Sequence, residues 1–309
     1  MKIYYFVPRA FPWIVSFAAI IGLFHPPVFT WFSGDLITLG LGGIMLGMGL
    51  TLNLKDFKRV IKRPKWVLTG FFLQFSVMPF FGWLLGYLFD LPDFFAVGLI
   101  LVSCCPGGTA SNVIVFLSNS SLALSVTMTA VSTISAIIMT PLLTSTLSGN
   151  NLEVDSLGLF YGTLKVVLIP VLFGIIINNK FPKITGRVER YSPTIAVILI
   201  TLIVASIIGQ GKEIILNSGA SLCLSIMILH LIGFVLGYFL SKILLENEKV
   251  SRTISIEVGM QNSGLGVVLA KENFINPAVA IPSAISSLVH SLYGSIFVFI
   301  CREKKLKKN

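Results

Sequence analysis

Two polar stretches interrupt an otherwise apolar chain, at residues 104–112 (CCPGGTASN) and 257–264 (EVGMQNSG). Both contain glycines, and each is expected to break a helix. Broken backbone inside a bilayer persists only where protein or a water-filled cavity satisfies its hydrogen bonds. The stretches lie about 150 residues apart, so they occupy matching places in the two halves of the chain. Paired breaks of this kind indicate the binding site of a membrane transporter.

The composition is that of a membrane protein. Hydrophobic residues make up 55% of the chain, charged residues only 12%, and the mean hydropathy is +0.90. A soluble domain carries about 25% charged residues. Apolar segments long enough to span a bilayer recur from near the N-terminus almost to residue 301, which leaves no room for a soluble domain. We therefore predict an all-α polytopic membrane protein with one integral membrane domain over residues 1–309.

Ten spans are predicted, and the first is the weakest of them. They lie at roughly residues 12–25, 29–52, 66–89, 91–118, 120–147, 156–179, 191–209, 214–241, 253–273 and 276–300. The first could be taken for the apolar core of a secretory signal. Pro26 and Pro27 lie where a cleavage site would be expected, and no small-x-small motif follows. The segment is therefore predicted to remain as a span.

The distribution of basic residues predicts an orientation. The net charge of +10 could suggest a nucleic-acid partner, but 20 of the 23 lysines and arginines fall in the tails and in alternate loops on one side. By the positive-inside rule, that side and both termini are cytoplasmic. We expect a multi-pass protein of a cell membrane, surrounded by lipid, with no nucleic-acid or protein partner. The four cysteines show neither a disulfide framework nor the spacing of metal ligands.

A short internal repeat predicts two inverted halves. Residues 82–89 (GWLLGYLF) resemble residues 233–240 (GFVLGYFL) at an offset of 151, and each precedes one of the polar stretches by a similar distance. The repeats would cover about residues 1–150 and 151–309. Five spans per half is an odd number, so the second half must enter the membrane in the opposite sense. This is a plan used by secondary transporters.

Glu257 is the one acidic residue of 13 that sits deep in a predicted span. A buried carboxylate must be protonated or paired with a cation, and inside a membrane it usually serves function. Residues with neutral side-chain oxygens occur in the two polar stretches and in other predicted spans. One carboxylate among neutral oxygens favours a monovalent cation such as Na⁺ over Ca²⁺ or Mg²⁺. The residues with neutral oxygens are Gln74, Ser111, Asn112, Ser125, Thr129, Gln261 and Asn262.

The restarting helices predict an anion site without any arginine. They begin near Thr109 and Asn262, and their free N–H groups and positive dipole ends would face the midplane. His290 is a candidate for lining the cavity, whereas His230 is more readily read as a hydrogen-bonding bridge between helices. Lys165 lies about ten residues into its span, where it either snorkels to the interface or reaches a polar interior.

Three stretches resemble the bile acid:sodium symporter family, in its bacterial branch. They are residues 104–112, residues 123–133 (ALSVTMTAVST) and residues 254–264 (ISIEVGMQNSG), and the similarity extends over essentially the whole chain. The resemblance implies ten helices, divided into a four-helix panel and a six-helix core, with the fourth and ninth helices crossing at their breaks. It further implies symport of an organic anion with two Na⁺ ions.

The resemblance also assigns residues to sites. One sodium site would be formed by Ser111, Asn112, Ser125, Thr129 and Glu257. The second would use Gln74, Glu257 and Gln261 with the backbone carbonyls of Val258 and Met260. Substrate would lie between panel and core near Thr109, Asn262 and, for larger ligands, His290. Ser291 replaces the amide residue expected after His290, which argues against a contact with bile acids. Pantoate, 2-oxo acids and bile-acid-like anions all remain candidate substrates.

Two other functions are weighed against sodium symport. A proton-coupled antiporter or exporter on a related fold usually needs a titrating carboxylate pair, or an Asp with a basic partner, and here a single Glu is surrounded by neutral oxygens. An intramembrane Ser/His hydrolase is disfavoured because the adjacent His290 and Ser291 point apart on a helix, and no nucleophile turn is present. The protein is therefore not expected to be an enzyme.

Overall fold

The computed structural model describes residues 10–52, 63–149, 154–182, 185–186 and 191–306. Within these ranges the chain is helical and has no β-strand, apart from one isolated bridge. The all-helical prediction is thus confirmed for this part of the chain. Several of the basic residues that predict the orientation, including Lys55 and Lys58, lie outside the described residues.

Thirteen α-helices occur within the described ranges. The first half contains α1 (Phe11–Phe24), α2 (Asp35–Thr51), α3 (Pro64–Leu88), α4 (Asp93–Ser103), α5 (Ser111–Leu117) and α6 (Leu122–Ser148). The second half contains α7 (Ser156–Thr163), a π-helical segment (Leu164–Leu168), α8 (Ile169–Lys180), α9 (Ser192–Gln210), α10 (Lys212–Leu245), α11 (Glu248–Gly259), α12 (Ser263–Asn273) and α13 (Ile281–Leu306).

Six helical stretches of the described chain are long and apolar enough to cross a membrane. They are Pro64–Leu88, Leu122–Ser148, Ser156–Lys180, Ser192–Gln210, Gly219–Leu245 and Pro277–Cys301. At the other four predicted spans lie the shorter helices α1 and α2 and two pairs of half-helices, α4 with α5 and α11 with α12. The membrane prediction is confirmed at this level, and the count of ten spans stays a prediction.

Prolines and capping residues explain several helix boundaries. Proline occupies the first turn of α1, α3, α8 and α9, where its missing N–H costs nothing. α11 begins at Glu248, five residues before the predicted span, because the Asn247 side chain accepts a hydrogen bond from the Val250 N–H. α2 begins only at Asp35 and not near residue 29, since a 3₁₀ turn and Gly34 at positive φ precede it.

The helices pack in two groups. α1 and α2 both pack against α9, and α2 also packs against α8. In the second group α3 packs against α4, α6 and α10, while α10 packs against α11 and α13. α12 contacts helices of both groups, including α2 and α13. The breaks between α4 and α5 and between α11 and α12 therefore lie close to the junction of the groups.

The repeated glycine motif has the same packing role in both halves. A methyl group at Gly86 of α3 would lie 3.4 Å from Ala96 Cβ of α4, and one at Gly237 of α10 would lie 3.1 Å from Ser255 Cα of α11. Each motif thus lets a long helix approach the first half of the broken helix that follows it. Lys165, in contrast, is exposed on the surface of the π-helical segment, so the alternative in which it reaches the interior is wrong.

Candidate functional site

The two helix breaks are paired with each other. The Gly108 N–H donates to the Met260 carbonyl at 2.8 Å, and the Asn262 N–H donates to the Pro106 carbonyl at the same distance. Gly107 and Gln261 lie opposite each other in this antiparallel bridge. Backbone groups that leave a helix need partners wherever water is absent. Each break here supplies partners for the other.

Glycine permits this close approach. A methyl group at Gly108 would lie 2.6 Å from the Gln261 carbonyl oxygen, and one at Gly107 would lie 2.9 Å from Glu257 Oε2. Both distances are too short for a real side chain. The Pro-Gly-Gly sequence that predicted a break is therefore also a requirement of the crossing itself.

Glu257 lies in the last turn of α11 and is only 2% exposed. The Ser111 hydroxyl donates to its Oε1 at 2.5 Å, and the Ser125 hydroxyl contacts the same oxygen. The Thr129 hydroxyl lies 2.9 Å from Oε2. Because Ser111 begins α5 and the other two hydroxyls come from α6, one carboxylate joins three helices.

Asn112 completes this cluster. Its Oδ1 lies 2.7 Å from Ser125 Oγ, so the single proton of that hydroxyl is shared between an amide oxygen and a carboxylate. The structure therefore brings together all five residues predicted for the first ion site. Among the described residues, the hydrogen-bond partners of the Glu257 carboxylate are neutral hydroxyl groups and not cationic side chains. A negative charge on this carboxylate would therefore be available to attract a cation.

The residues predicted for the second ion site also meet. Gln74 Nε2 lies 2.8 Å from Gln261 Oε1 and 2.9 Å from the Cys105 carbonyl. Gln261 Nε2 donates to the Val258 carbonyl at 3.0 Å. The Met260 carbonyl accepts the hydrogen bond from the Gly108 N–H, in the loop that precedes α5. Both glutamine side chains are almost fully buried.

A small cavity lies beside these groups. Its volume is about 10 Å³, and its polar lining comes from Gln74, Ser132 and Glu257, next to Gly107. A volume of about this size accommodates one water-sized sphere. Ser132 was not predicted from the sequence, although it continues the face of α6 that carries Ser125 and Thr129. Among the described residues, no group of three or more His, Cys, Asp or Glu could hold a metal ion.

A larger cavity of about 270 Å³ separates the two groups of helices. Its walls come from α1, α2 and α9 on one side and from α5 and α6 on the other. Thr109 and Asn112 line it, so the cavity reaches the first break and the edge of the Glu257 cluster. It lies at the end of the molecule where α1 and α9 begin and α2 ends.

The three residues predicted for substrate lie in different surroundings. Thr109 is half-buried in the wall of the larger cavity. Asn262 is 7% exposed; its Oδ1 caps α12 by accepting from the Leu265 N–H, and its Nδ2 has no hydrogen-bond partner. His290 is 3% exposed, and it does not belong to the lining of that cavity.

Two buried histidines contact the backbone of the second break. His230 Nδ1 lies 2.8 Å from the Gly259 carbonyl, and its Nε2 lies 2.7 Å from Ser286 Oγ. This confirms the prediction that His230 bridges helices. His290 Nδ1 accepts from the Gln261 N–H at 3.2 Å. The involvement of Ser286 was missed, although Ser283, Ser286 and Ser287 form a polar helical face in the sequence.

A bundle of apolar helices with two paired breaks and a buried carboxylate beside a cavity defines a membrane transport protein. The family model described as "Sodium Bile acid symporter family" matches residues 38–218. The chain belongs to this family, whose members are sodium-dependent transporters and not enzymes.

The relatives agree with this assignment. The chain is 47% identical over 302 residues to "Probable sodium/metabolite cotransporter BASS1, chloroplastic" of Arabidopsis thaliana, covering 98% of this chain and 75% of the relative. It is 42% identical over 309 residues to the "sodium-dependent transporter YocS" of Bacillus subtilis (strain 168), covering 99% of this chain and 95% of the relative. The predictions of sodium dependence and transport are thereby confirmed.

Proposed function

We propose that the protein is a sodium-coupled symporter that carries an organic anion across the bacterial inner membrane by alternating access. The observation that carries this proposal is the contact of Glu257 with hydroxyl groups from both α5 and α6. A cation bound there would be held by groups from both broken helices and from α6. Ion binding would therefore stabilise one arrangement of these three elements.

The oxygens of the Glu257 cluster suit a small hard cation. Such ions take about six or more oxygen ligands, at about 2.3–2.6 Å for an ion of the size of Ca²⁺. One carboxylate among neutral oxygens leaves the occupied site nearly neutral if the ion is monovalent. The hydroxyls of Ser111 and Thr129 now lie at hydrogen-bond distance from the carboxylate, so an ion would turn their protons away and widen the cluster. Ion binding is thereby expected to adjust α5 relative to α11.

A second Na⁺ is proposed at the small cavity beside Gln74. Gln74 and Glu257 line this cavity and would be two of its ligands. The side-chain oxygen of Gln261 and the carbonyls of Val258 and Met260 lie outside the lining and would complete the set after a local rearrangement. Rotation of a glutamine amide exchanges its oxygen and nitrogen, which would direct oxygen at the ion. The cavity is about 10 Å³, which fits one small ion but no organic substrate.

The substrate is proposed to be a small organic carboxylate. The larger cavity has a volume of about 270 Å³, near the lower limit for ligand pockets, which run from about 300 to 1,000 Å³. This size favours pantoate or a 2-oxo acid over a bile-acid-like anion. Thr109 lines the cavity and would contact the anion first. The Nδ2 of Asn262 is unpaired but lies outside this lining, so it would become a donor only to an anion that moves deeper, towards the start of α12. The relatives named as sodium/metabolite cotransporters are compatible with such a substrate.

The proposed architecture consists of ten spans in two inverted repeats. In this arrangement α1, α2, α9 and the span that comprises α7 and α8 form the panel, and the remaining spans form the core. The packing groups and the matched glycine motifs support it. The excess of basic residues supports a cytoplasmic location of both termini. The larger cavity would then lie on the cytoplasmic side.

The proposal is tested with purified protein in liposomes. Candidate carboxylates are first screened for thermal stabilisation in Na⁺ and in K⁺, because a ligand that stabilises only in Na⁺ identifies the substrate class and the coupling together. Uptake of that ligand is then measured for wild type, Glu257→Ala and the control Glu248→Ala. We expect Glu257→Ala to abolish Na⁺-dependent uptake and the control to retain it. Full Na⁺-stimulated uptake by Glu257→Ala would refute the proposal, and uptake that followed pH and ignored Na⁺ would favour the proton-coupled alternative.

A further inference from the structure

The two buried histidines meet at the second break, although they come from different helices. His230 lies on α10 and His290 on α13, and their rings form an edge-to-face pair with centroids 5.4 Å apart. His230 is 0% exposed and His290 is 3% exposed. We propose that they are positioning residues for the sodium sites, and that His290 acts through the backbone of the second break and not by touching substrate. This inference rests on the proposed function.

The tautomer of His230 follows from its two partners. A carbonyl oxygen can only accept, so Nδ1 must carry the proton that is donated to Gly259. In the neutral ring that we infer for this buried site, Nε2 then accepts from the Ser286 hydroxyl. Ser286 Oγ lies 3.0 Å from Ser263 Oγ, so Ser263 is the donor in that pair. One hydrogen-bonded chain thus runs from the first residue of α12 through α13 to the last carbonyl of α11.

His290 has the opposite tautomer. Its Nδ1 accepts from the Gln261 N–H, so its ring proton is on Nε2. In a continuous α-helix the Gln261 N–H would donate to the Glu257 carbonyl, four residues earlier. Because His290 takes this donor, the Glu257 carbonyl loses its usual helical partner. This carbonyl oxygen and Glu257 Oε2 both lie close to Gly107, where an added methyl group would be 3.4 Å from the former and 2.9 Å from the latter.

The two rings therefore hold adjacent parts of one short segment. His230 fixes the carbonyl before Met260, and His290 fixes the N–H after it. The side chain of Gln261, a proposed ligand, begins at the atom next to the N–H that His290 holds. Both assignments require neutral rings, since each ring uses one nitrogen as an acceptor. A histidine with Nδ1 already engaged, and outside the lining of the larger cavity, is poorly placed to recognise an anion.

The first test compares two substitutions of His290. Asn places an oxygen near the position of His Nδ1 and can still accept from Gln261, whereas Leu cannot. Thermal stabilisation of the purified protein by Na⁺ is measured without substrate, with K⁺ as the reference ion. We expect His290→Leu to raise the Na⁺ concentration at half-maximal stabilisation about tenfold or more and His290→Asn to stay within about threefold of wild type. Substrate KM at saturating Na⁺ should be nearly unchanged in both.

The outcomes separate this inference from the proposed function. A wild-type protein without any Na⁺ response overturns both. A normal Na⁺ midpoint in His290→Leu together with a raised substrate KM overturns the positioning role alone, because it is the result expected of a substrate contact. Equal loss of the Na⁺ response in both variants also overturns the positioning role. In that case the hydrogen-bond acceptor that His290→Asn retains would not be the property that supports Na⁺ binding.

A second measurement covers the case in which His290→Leu does not fold. The chain has three histidines, so ¹⁵N-histidine labelling of wild type gives a simple spectrum, and His25→Asn removes the signal of the third ring. We expect an Nδ1–H tautomer for His230, an Nε2–H tautomer for His290, and a shift of the His290 signals on addition of Na⁺ but not K⁺. An Nδ1–H tautomer for His290, or signals that ignore Na⁺, would overturn the inference.

Discussion

The two helix breaks differ in length, burial and support. The first leaves residues 104–110 outside α4 and α5, and its last part, at Thr109 and Ala110, borders the larger cavity. The second leaves only residues 260–262 outside α11 and α12, and all three are buried. A long break with one open end suits a ligand that must enter from water, whereas a short closed break suits a small ion.

The hydrogen bonds that hold the two breaks in place also differ. The first break is held by Gln74 at the Cys105 carbonyl and by Thr140, whose hydroxyl donates to the Cys104 carbonyl at 2.7 Å. Both contacts lie at its beginning, whereas at its end the Thr109 carbonyl accepts a long hydrogen bond, at 3.5 Å, from Asn112 Nδ2 of the same segment. The second break is held on both sides by buried histidines. The difference favours the proposal that the second break holds the ions and that the first break meets the substrate.

The largest effect is expected where the breaks touch. Gly108→Ala would place a methyl group 2.6 Å from the Gln261 carbonyl oxygen, in backbone that two hydrogen bonds hold in place. Overpacking costs about 1–3 kcal/mol, and the rigid backbone here favours the upper end, so we expect transport to fall by up to about 100-fold. Initial uptake rates in liposomes measure this. Gly42→Ala is the matched control, because a methyl group there meets nothing within 4 Å; equal activity of the two variants would contradict the close crossing.

The next effect concerns the ion side of the comparison. Thr129→Val keeps the shape of the side chain but removes the hydroxyl beside Glu257, so we expect about a 10-fold to 100-fold loss of Na⁺ affinity. The Na⁺ concentration at half-maximal uptake measures it. Thr133→Val is the control one helical turn away, since the Thr133 hydroxyl is buried without a hydrogen-bond partner. Equal Na⁺ affinities in the two variants would argue against an ion site at Glu257.

A smaller effect is expected on the substrate side. Thr109→Val removes one neutral hydroxyl from the wall of the larger cavity, so substrate KM should rise about fivefold while the Na⁺ midpoint is unchanged. Thr51→Val is the control, because Thr51 lines the same cavity but its hydroxyl donates to the Met48 carbonyl of its own helix. If Thr109→Val changed the Na⁺ affinity but not the substrate KM, the first break would contribute to ion binding and not to substrate binding, contrary to the proposal.

The smallest effect distinguishes the two glutamates of α11. Partial burial alone would raise the pKa of the Glu248 carboxyl, but hydrogen bonds from three partners outweigh it and lower the pKa from 4.5 to about 2. These partners are Tyr238, Arg252 and Lys242. A lowered pKa contributes stability that is present above pH 4.5 and is lost as the pH falls towards about 2.

Glu248→Gln should therefore lower the melting temperature slightly at pH 7, and the difference from wild type should shrink as the pH falls below 4.5. The side chain is 41% exposed, so the contribution is about 1 kcal/mol or less. Thermal unfolding in detergent across this pH range measures it, with the Na⁺ midpoint expected to stay at its wild-type value. A large shift in that midpoint would mean that charge on α11, and not the position of Glu257, governs ion binding.

The sequence predicts the breaks and their central carboxylate because these depend on local signals. Glycine and proline in an apolar segment indicate a break in the helix. Glu257 is conspicuous because the other acidic residues fall in loops, tails or span edges. The helix start at Glu248 was also accessible in principle, since Asn247 is a strong N-cap residue. Gln74 is among the residues with neutral oxygens in the sequence, but no local pattern connects it to Glu257, and only the family resemblance assigns it to a sodium site.

The role of His290 could not be predicted in the same way. Its position beside Gln261 depends on how α13 packs against the end of α11, and a residue's place on one helix does not determine its contact across a bundle. Lys165 gives a similar lesson. Its depth in the predicted span leaves open whether it reaches the membrane interface or a polar interior. The π-helical segment before Pro170 changes the helical register there, and the Lys165 side chain lies exposed on the surface.

The backbone bridge between the breaks has a mechanical consequence. Pulling Gly108 from Met260 and Asn262 from Pro106 would leave two N–H and two carbonyl groups unpaired, and each unpaired buried group costs about 1–3 kcal/mol. The two breaks are therefore expected to stay paired and to move together when the flanking helices rearrange. In the proposed alternating-access cycle, the relative movement is then expected at the surfaces where α1, α2 and α9 face the two broken helices, where the contacts of the described residues include one side-chain hydrogen bond, from Thr38 of α2 to Glu272 of α12.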